Sequence, residues 1–284
     1  MGSLRSIALR LKTGTEGLNY GREIVGAWGA EAVRASRLGP DVLSIAPIRV
    51  LDLGCGDGTD LRNVAAQLGP DDASPRLLEL HGLENWKPNV EICHRNGIAT
   101  HVADIERDEL PFADGSFDLV IANQILEHTK EIFWIAAEVA RVLRPGGRWI
   151  VGVPNLASLH NRLLLVCGQQ PTAQQSASAH VRGFTRGDFT HFAEQGDFFR
   201  TCAVKGSNFY PLPPSMSRPL SRTFPSLAWG LFVLLERTAR EGSFLECLHG
   251  EENFLETPFV GGPQRRPSVG SRQDALLRTA AGVN

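Results

Sequence analysis

Three glycines at alternate positions, Gly54, Gly56 and Gly58, stand between a short apolar run and a helical stretch. The run from Ile48 to Leu53 is β-branched and aliphatic and predicts a strand, and Thr59 to Leu68 has helical spacing. Glycine lets the main chain turn sharply out of a strand and leaves room for a ligand that a Cβ would block. The spacing therefore predicts a strand-to-helix turn that holds a nucleotide-like ligand.

The glycine spacing also separates two kinds of nucleotide-binding fold. Turns that bind dinucleotides carry G-x-G-x-x-G, whereas Thr59 stands where the last glycine of that pattern would be. No Lys-Ser or Lys-Thr pair follows the glycines, and this excludes a Walker-type phosphate loop. An NAD-dependent oxidoreductase is therefore the disfavoured alternative.

Strand-like and helical segments alternate through the first half of the chain. Beyond the first helix the sequence predicts strands at Leu77 to Leu83, Ile98 to Ala103, Phe117 to Ala122 and Trp149 to Val153, and helices at Pro88 to Asn96 and Glu131 to Leu143. Such alternation predicts a doubly wound α/β fold with a mostly parallel, seven-stranded, Rossmann-like sheet and helices on both faces. In such folds ligands bind at the edge where the carboxyl ends of the strands meet.

Acidic side chains mark the ends of the first three predicted strands, at Asp52, Glu84 and Asp104. Glu84 ends the second strand, where a carboxylate can accept hydrogen bonds from both hydroxyls of a ribose. Asp104 ends the third strand and can accept a hydrogen bond from the amine of adenine, with Ile105 against the ring. Negative charge around the turn suits a cationic ligand and repels a pyrophosphate.

An ordered set of motifs resembles the class I S-adenosylmethionine-dependent methyltransferases. The likeness is close from Ile48 to Val153 and looser as far as Phe209. Its elements are Leu51-Asp52-Leu53-Gly54-Cys55-Gly56-Asp57-Gly58, Glu84, Asp104, Leu110-Pro111-Phe112, Ser116-Phe117-Asp118-Leu119-Val120, Leu126-Glu127-His128 and Arg141-Val142-Leu143-Arg144-Pro145-Gly146-Gly147. The resemblance implies S-adenosylmethionine as cofactor and transfer of its methyl group to a small-molecule acceptor, with a hydroxyl as the expected methyl acceptor.

The same resemblance implies roles for individual residues. Gly54 and Gly56 would pack under the methionine part of the cofactor, Glu84 would hold the ribose, and Asp104 with Ile105 would hold the adenine. Asn123 or Gln124 would contact the cofactor after the fourth strand. The cofactor-binding residues predicted in this way are Asp52, Gly54, Cys55, Gly56, Glu84, Asn85, Asp104, Ile105, Asn123 and Gln124.

Within this family the chain is most similar to the MetW and ubiquinone O-methyltransferase branches. Val153-Pro154-Asn155 and the later run from His180 to Thr185 resemble the MetW pattern of a strand-end Pro-Asn and a His that precedes Phe-Thr. This likeness leaves a second function open, a non-catalytic S-adenosylmethionine-binding protein that regulates a partner enzyme.

Two histidines are candidates for the base that removes a proton from the acceptor. His128 follows the fourth strand, and histidine is a residue type suited to general-base catalysis, although His128 could equally cap a helix or pack. His180 lies in a loop that could close over the acceptor, with Arg182 as an anion clamp, or it could be a surface residue. In the ubiquinone branch, a set of Glu, Glu and His near this position resembles a metal site. In this chain Gln124 replaces the first Glu, which leaves Glu127 and His128, so no metal is predicted.

The remainder of the chain predicts additions to this domain. We expect a helical extension at 1–40, a methyltransferase domain at 41–210, a Pro-rich insert at 211–262 and a disordered tail at 263–284. The predicted elements after Pro154 are helices at Leu156 to Val166 and Thr185 to Glu194, a strand at Arg200 to Phe209, a hydrophobic helix from Pro225 to about Arg240 and a last strand at Asn253 to Val260. The run from Leu227 to Leu235 is expected to be buried in an appended helical cap.

Composition narrows the partners and the compartment. With 29 basic and 31 acidic residues the net charge of -2 offers no long-range attraction to nucleic acid or to an anionic membrane. The five cysteines include no C-x-x-C pair, and Met1 to Lys12 lacks the apolar stretch of a secretory signal. These features predict a cytoplasmic protein with reduced thiols and no stable membrane insertion. The expected acceptor is a small molecule, which could be lipid-like or a saccharide. The oligomeric state stays open.

Overall fold

The fold is given by a computed structural model, which describes residues 21–37, 46–69, 77–210, 212–249 and 259–261. Its strands are β1 (Ile48–Leu53), β2 (Leu78–Leu83), β3 (Ala99–His101), β4 (Phe117–Asn123), β5 (Leu143–Pro154), β6 (Phe199–Ser207) and β7 (Gly230–Arg237). They form one sheet in the order β3-β2-β1-β4-β5-β7-β6. The first five strands are parallel, and β7 runs antiparallel between β5 and β6.

Helices connect the strands and cover both faces of the sheet. They are α1 (Arg22–Arg37), α2 (Thr59–Leu68), α3 (Lys87–Arg95), α4 (Ile132–Val142), α5 (Leu159–Val166), α6 (Arg186–Ala193) and α7 (Pro214–Thr223), and short 3-10 turns lie at Leu126–His128, Thr172–Gln174, Gln195–Asp197, Pro225–Leu227 and Phe244–His249. Within the described part of the chain no helix has both the length and the apolar character to cross a bilayer.

Two hydrophobic layers hold the helices to the sheet. On one face α1 and α2 pack together over buried side chains of β1 and β4, and α3 contributes Cys93. Gly29 lets α1 approach closely, because a Cβ there would lie 2.4 Å from a methyl carbon of Val64 on α2. On the other face α4 and α6 pack against the sheet with Trp149 and Phe184 in a second core. Burial of apolar side chains on both faces is the main stabilisation of such a sandwich.

The structure confirms the predicted fold class and most of the predicted elements. β1 and α2 have the predicted bounds, and the other strands and helices before residue 167 differ from the prediction mainly at their ends. The largest difference is in β5, which begins at Leu143 and therefore includes the Pro145-Gly146-Gly147 turn. Its pairing with β4 shifts register between Phe117 and Leu119, next to that turn.

The predicted hydrophobic helix from Pro225 to about Arg240 is wrong, because Gly230–Arg237 form the strand β7 and Pro225–Leu227 form a 3-10 turn. The run is apolar on all sides since β7 is an inner strand, paired with β5 and β6 and covered on both faces of the sheet. An apolar run of this length has the same pattern in a buried strand and in a buried helix. The Pro-rich segment before it, for which the sequence predicted no helix or strand, contains α7.

The predicted domain division after residue 210 falls between β6 and β7, which pair along their whole lengths. The sheet therefore extends into the segment that was assigned to an insert. The helix predicted in the N-terminal extension is present as α1 and packs on α2. The predicted last strand from Asn253 to Val260 lies outside the described residues except at its final two positions, and the predicted tail from 263 onward lies outside them entirely.

Candidate active site

The predicted cofactor residues lie along one edge of the sheet. β2, β1 and β4 are neighbours and run parallel, so the carboxyl ends of these strands meet there. Glu84 follows β2, Gly54 follows β1, and Asn123 ends β4. The register pairs Leu53 of β1 with Leu83 of β2, which brings Gly54 and Glu84 to the same height on this edge.

The glycine turn needs glycine for its backbone conformation. Gly54 and Gly56 have φ values of 67° and 55°, in the left-handed region that side chains with a Cβ rarely adopt. A Cβ on Gly54 would also lie 2.9 Å from the Cδ1 atom of Ile125. Around Gly56 the nearest atom to a Cβ would be the Nδ2 atom of Asn89, at 4.0 Å. The main chain at Gly56 therefore borders open space where a ligand can lie.

Cys55 directs its thiol away from this space and into the core. Its Sγ atom lies 3.9 Å from Sγ of the buried Cys93, and a Cβ on Gly82 would lie 2.3 Å from Cys55 Sγ. Burial is the main cause that raises the pKa of the Cys55 thiol, and the charge of Asp52 adds to it. Cys55 therefore offers only its main chain to a ligand, as expected for a small residue in the turn.

The loop after β2 fixes the carboxylate of Glu84. Its Oε1 atom accepts hydrogen bonds from the main-chain nitrogens of Asn85 and Trp86, both at 2.8 Å, and its Oε2 atom accepts one from Asn89 at 3.0 Å. A carboxylate oxygen has two lone pairs, so Oε2 keeps capacity for a further donor. The side chain is thus held in one orientation at the strand end, while Asn85 is exposed beside it.

The loop after β3 presents Asp104 at the surface. Its Oδ1 atom accepts a hydrogen bond from the main-chain nitrogen of Glu106, and its own nitrogen donates to Asp108. Ile105 is half-buried and packs against the core under this edge. Both residues lie at the carboxyl end of β3, on the far side of β2 from the glycine turn.

Two buried carboxyls lie behind the turn. Asp52, within β1, is only 2% exposed, and burial together with the nearby charge of Asp60 raises its pKa well above the ordinary value. Asp60, in the first turn of α2, accepts a hydrogen bond of 2.9 Å from Asn123. Burial is also the main cause that raises the pKa of Asp60.

Arg22 is a site residue that the sequence analysis missed. Its Nε atom lies 3.9 Å from the Oδ1 atom of Asp60, and both atoms are buried without a hydrogen-bond partner. The only feature of the sequence that involves Arg22 is the helical pattern at the N-terminus, which it begins and which lies outside every motif. The fold brings it to the edge because α1 packs on α2.

A pocket of about 240 Å³ opens beside Arg22 and Asn123. Asn123 and Gln124 form one wall, and Gln124 is held by a hydrogen bond of 2.7 Å from its nitrogen to the carbonyl of Gly152. Gln124 has a φ of 58°, which is uncommon for a residue with a side chain and typical of functional loops. Among the described residues, the pocket is lined by Arg22, Asn123, Gln124, Glu127, His128 and His180.

Glu127 is the second site residue that lacked a predicted role. It is 2% exposed, its Oε2 atom has no hydrogen-bond partner, and burial raises the pKa of its carboxyl to about 7. The main-chain nitrogens of Val181 and Arg182 donate to its carbonyl, at 2.9 and 3.2 Å. These bonds tie the loop that carries His180 to the turn that carries Glu127 and His128.

The two predicted histidines meet in this pocket. The rings of His128 and His180 are 4.6 Å apart in an edge-to-face arrangement, and His128 Nδ1 lies 3.3 Å from the carbonyl of Ala179. Possible donor atoms of Glu127, His128 and His180 all lie within 4.8 Å of one another, so this trio has the composition of a metal site. Arg182, the predicted anion clamp, instead donates to the carbonyl of Lys130 and is not among the pocket residues.

Three features together are those of a class I methyltransferase domain. They are a seven-stranded sheet with β7 antiparallel, a glycine turn after β1 and acidic residues after β2 and β3. Residues 51–151 match the family model described as a methyltransferase domain. This segment of the chain is accordingly a class I S-adenosylmethionine-dependent methyltransferase domain.

Individual relatives share the same part of the chain. A ubiquinone biosynthesis O-methyltransferase from Xanthomonas oryzae pv. oryzae is 34% identical over 119 residues, which cover 40% of this chain and 46% of the relative. A demethylmenaquinone methyltransferase from Lactococcus lactis is 31% identical over 130 residues, covering 43% and 45%. An uncharacterized 37.1 kDa protein in transposon TN4556 of Streptomyces fradiae is 37% identical over 112 residues, covering 38% and 31%.

These matches span less than half the length of each relative. Among solved structures, a chain in the complex between the Haloferax volcanii Trm112 methyltransferase activator and the putative methyltransferase superposes with a TM-score of 0.52. It is 17% identical, and the match covers 85% of this chain and 98% of that one. This likeness supports the fold.

Proposed function

We propose that the chain binds S-adenosylmethionine along the β3-β2-β1-β4 edge and transfers its methyl group to a hydroxyl of a small molecule. The observation that carries this proposal is the pocket beside the glycine turn, where a buried carboxyl with a pKa of about 7 lies next to two histidines. Groups that titrate near neutrality are suited to general-base catalysis. The names of the quinone-modifying relatives support an organic acceptor, and that of the O-methyltransferase supports a hydroxyl.

The nucleoside part of the cofactor would lie over Glu84, Asp104 and Ile105. Glu84 is held at the strand end with one carboxylate oxygen able to accept a further hydrogen bond, as a ribose hydroxyl requires. Asp104 and Ile105 would take the adenine amine and the ring face. Asn85 is exposed beside Glu84 and would border the ribose.

The methionine part would lie over the main chain of Gly54, Cys55 and Gly56. Arg22 provides a cation at the pocket wall, where it would pair with the cofactor carboxylate. Asp52 and Asp60 lie behind the wall, where burial raises the pKa of both carboxyls. A ligand with a positive sulfonium and ammonium group would stabilise their ionised forms.

The bound cofactor supplies an electrophilic methyl group on a sulfonium. The chain would hold the acceptor oxygen in line with that methyl group, and positioning of this kind lowers the entropic part of the barrier. Transfer would form the bond between the acceptor oxygen and the methyl carbon as the carbon–sulfur bond breaks, and the electron pair would stay on sulfur. The acceptor proton passes to a base in the pocket.

Three side chains are candidates for that base. His128 and His180 are the residues predicted from the sequence, and Glu127 joins them because its unpartnered carboxylate oxygen lies in the same pocket. A general base contributes about 10²- to 10⁴-fold to a rate. If His128→Ala binds cofactor normally and loses no turnover, His128 has no part in the reaction, and the same comparison applies to His180→Ala.

The direct test is turnover with methyl-labelled S-adenosylmethionine and a panel of phenols, catechols, saccharides and lipid-like alcohols. The proposal predicts transfer of label to at least one hydroxyl. Cofactor binding without transfer to any acceptor, in the presence or absence of a partner enzyme, would favour the regulatory alternative. The sequence feature that supports the regulatory alternative is the MetW-like pattern at Asn155 and His180.

The proposed reaction requires no metal. Excess EDTA is expected to leave turnover unchanged, because Gln124 replaces one Glu of the Glu, Glu and His set that resembles a metal site in the ubiquinone branch. A loss of activity that Zn²⁺ or Mg²⁺ restores would instead assign Glu127, His128 and His180 as ligands.

A further inference from the structure

Helix α5 is turned with its polar side inward. Asn161 is only 1% exposed and donates to the carbonyl of Asn155, while its Oδ1 atom accepts from Thr172. His160 lies on the same inner side, bonded to Thr172 and in contact with the Tyr210 ring. A helix in a folded domain normally places its apolar side against the core.

The apolar residues of α5 form an exposed stripe. Leu159, Leu163 and Val166 are spaced by four and three residues, so they share one side of the helix. They are 42%, 59% and 85% exposed. Leu165 adds a fourth exposed apolar side chain, at 55%. An exposed apolar surface built in this way marks a site of contact with a partner or a membrane.

The surrounding segments carry positive charge and no negative charge. Residues 155–187 and 208–228, here called the cap, contain no aspartate or glutamate, although the whole chain has 31. The basic residues of the cap are Arg162, Arg182, Arg186, Arg218 and Arg222. Among the described residues none of these arginines forms an ion pair.

The two segments of the cap lie together at the end of β5. Asn155 donates hydrogen bonds of 2.9 and 2.8 Å to the carbonyls of Ser226 and Ala228. Helix α7, in the second segment, adds exposed Arg218 and Arg222. Met216 and Phe224, in and just after α7, are 53% and 50% exposed. The cap therefore combines exposed apolar side chains with four exposed arginines, Arg162, Arg186, Arg218 and Arg222. Arg182 is half-buried, donates to the carbonyl of Lys130 and has acidic neighbours, so it is not counted among them.

We propose that the cap docks on the surface of an anionic lipid bilayer. Leucine, valine and phenylalanine side chains would enter the boundary between headgroups and acyl chains, and the arginines would pair with anionic headgroups. A basic and apolar surface of this kind matches a lipid surface in both charge and hydrophobicity. Because no described helix can span a bilayer, the association would be peripheral and reversible.

Docking would also face the pocket toward the lipid. His180 lines the pocket, and the next residue, Val181, is 65% exposed in the cap. An apolar acceptor could then reach the pocket without crossing water. The docking surface itself stands without this step, because it rests on the charge and exposure of the cap alone.

The test is co-sedimentation of the full chain with vesicles, and it needs no enzymatic activity. Neutral phosphatidylcholine vesicles are compared with vesicles that contain one quarter phosphatidylglycerol, at low and at high salt. We expect binding to the anionic vesicles only, and weaker binding at high salt because screening reduces attraction to the headgroups.

The variant that tests the stripe is Leu163→Glu with Val166→Glu, and its matched control is Leu77→Glu. Leu77 is 41% exposed at the opposite edge of the sheet, just before β2. The stripe variant should bind anionic vesicles at least about tenfold more weakly, because each buried methylene contributes to membrane affinity. The control should bind as the unchanged chain does.

A second variant, Arg218→Glu with Arg222→Glu, tests the charge even if the stripe variant fails to fold. It should lower binding about tenfold or more, since each arginine near an anionic surface contributes to affinity. Equal binding to neutral and anionic vesicles, or no binding at all, would overturn the proposal. A dimer in solution that the stripe variant dissociates, without any vesicle binding, would assign the stripe to a second copy of the chain and overturn it as well.

Discussion

Burial gives Glu127 a property that an exposed glutamate lacks. Its carboxyl would titrate at about pH 7 because the protein around it provides little solvation for the charge. The main-chain bonds from Val181 and Arg182 hold the surrounding loop in place without neutralising the carboxylate. The structure therefore adds Glu127 to the two histidines as a third candidate for the base.

Replacement of Glu127 by Gln tests this role with little change of shape. If Glu127 is the base, its deprotonated form is active, so turnover should rise as the pH increases through about 7 and level off above it. Glu127→Gln should lower kcat about 10²- to 10⁴-fold and abolish this rise. The measurement is kcat between pH 5.5 and 9.

Glu109→Gln is the matched control, since Glu109 is exposed and lies outside the pocket. It should keep both the rate and the pH profile of the unchanged chain. An unaltered pH profile in Glu127→Gln would return the role of base to His128 or His180.

Arg22 is the second residue with a specific prediction. Arg22→Gln should weaken S-adenosylmethionine binding by about tenfold or more, because a charge-assisted hydrogen bond to the cofactor carboxylate would be lost. The control is Arg34→Gln, on the exposed side of the same helix, where the guanidinium donates to the carbonyl of Gln67. Equal dissociation constants for the two variants by calorimetry would remove Arg22 from the cofactor site.

At the scale of elements, β7 is the strand that joins β6 to the five parallel strands of the sheet. It pairs with β5 on one side and β6 on the other, and Leu235 in it is fully buried. Leu235→Ala should lower the free energy of unfolding by about 2–5 kcal/mol, because it leaves a cavity in the core. Leu77→Ala, at an exposed position, should cost much less.

Urea denaturation of the two variants measures this difference. If Leu235→Ala were no more destabilising than Leu77→Ala, the segment from Gly230 to Arg237 would not be the inner strand described here.

The elements show which signals in a sequence are sufficient. The strand β1, the glycine turn and α2 were predicted correctly because turn chemistry and hydrophobic periodicity agree there. For β7 only hydrophobicity was available, and a run that is apolar on all sides does not reveal its own period. The predicted strand began only at Trp149, after Pro145-Gly146-Gly147, because Pro-Gly-Gly normally ends an element.

The site was predictable where residues follow strand ends and unpredictable where distant segments meet. Glu84 and Asp104 were predicted from their strand-end positions and Asn123 from the family resemblance, and the structure places all three at the carboxyl edge of the sheet. Arg22 comes from a helix before the first strand, and the importance of Glu127 depends on its burial, which only the packed loop around His180 creates. Neither feature leaves a local pattern in the sequence.

At the scale of the whole molecule, composition hides an asymmetry of charge. The net charge of -2 led to the expectation of no attraction to an anionic membrane. The fold gathers two acid-free segments into one cap, and the excess acidic residues lie elsewhere. Attraction to a charged surface depends on this local distribution as well as on the net charge.

Cofactor binding should also be visible in the stability of the whole chain. A ligand that binds only the folded state at 100 times its dissociation constant raises the free energy of unfolding by about 2.7 kcal/mol. S-adenosylmethionine should therefore raise the thermal midpoint in a concentration-dependent manner, whereas NADH at the same concentrations should not. An equal shift by NADH would favour the oxidoreductase alternative.

The central claim is that main chain at Gly54 and Gly56, with acidic side chains around it, binds a positively charged nucleoside. Titration calorimetry of the purified chain with S-adenosylmethionine tests this most directly. The account predicts saturable binding at one site with a dissociation constant between about 1 µM and 1 mM. Two results together would contradict the account. One is the absence of binding heat at several temperatures with S-adenosylmethionine at millimolar concentration, and the other is that the cofactor does not protect the glycine turn from proteolysis.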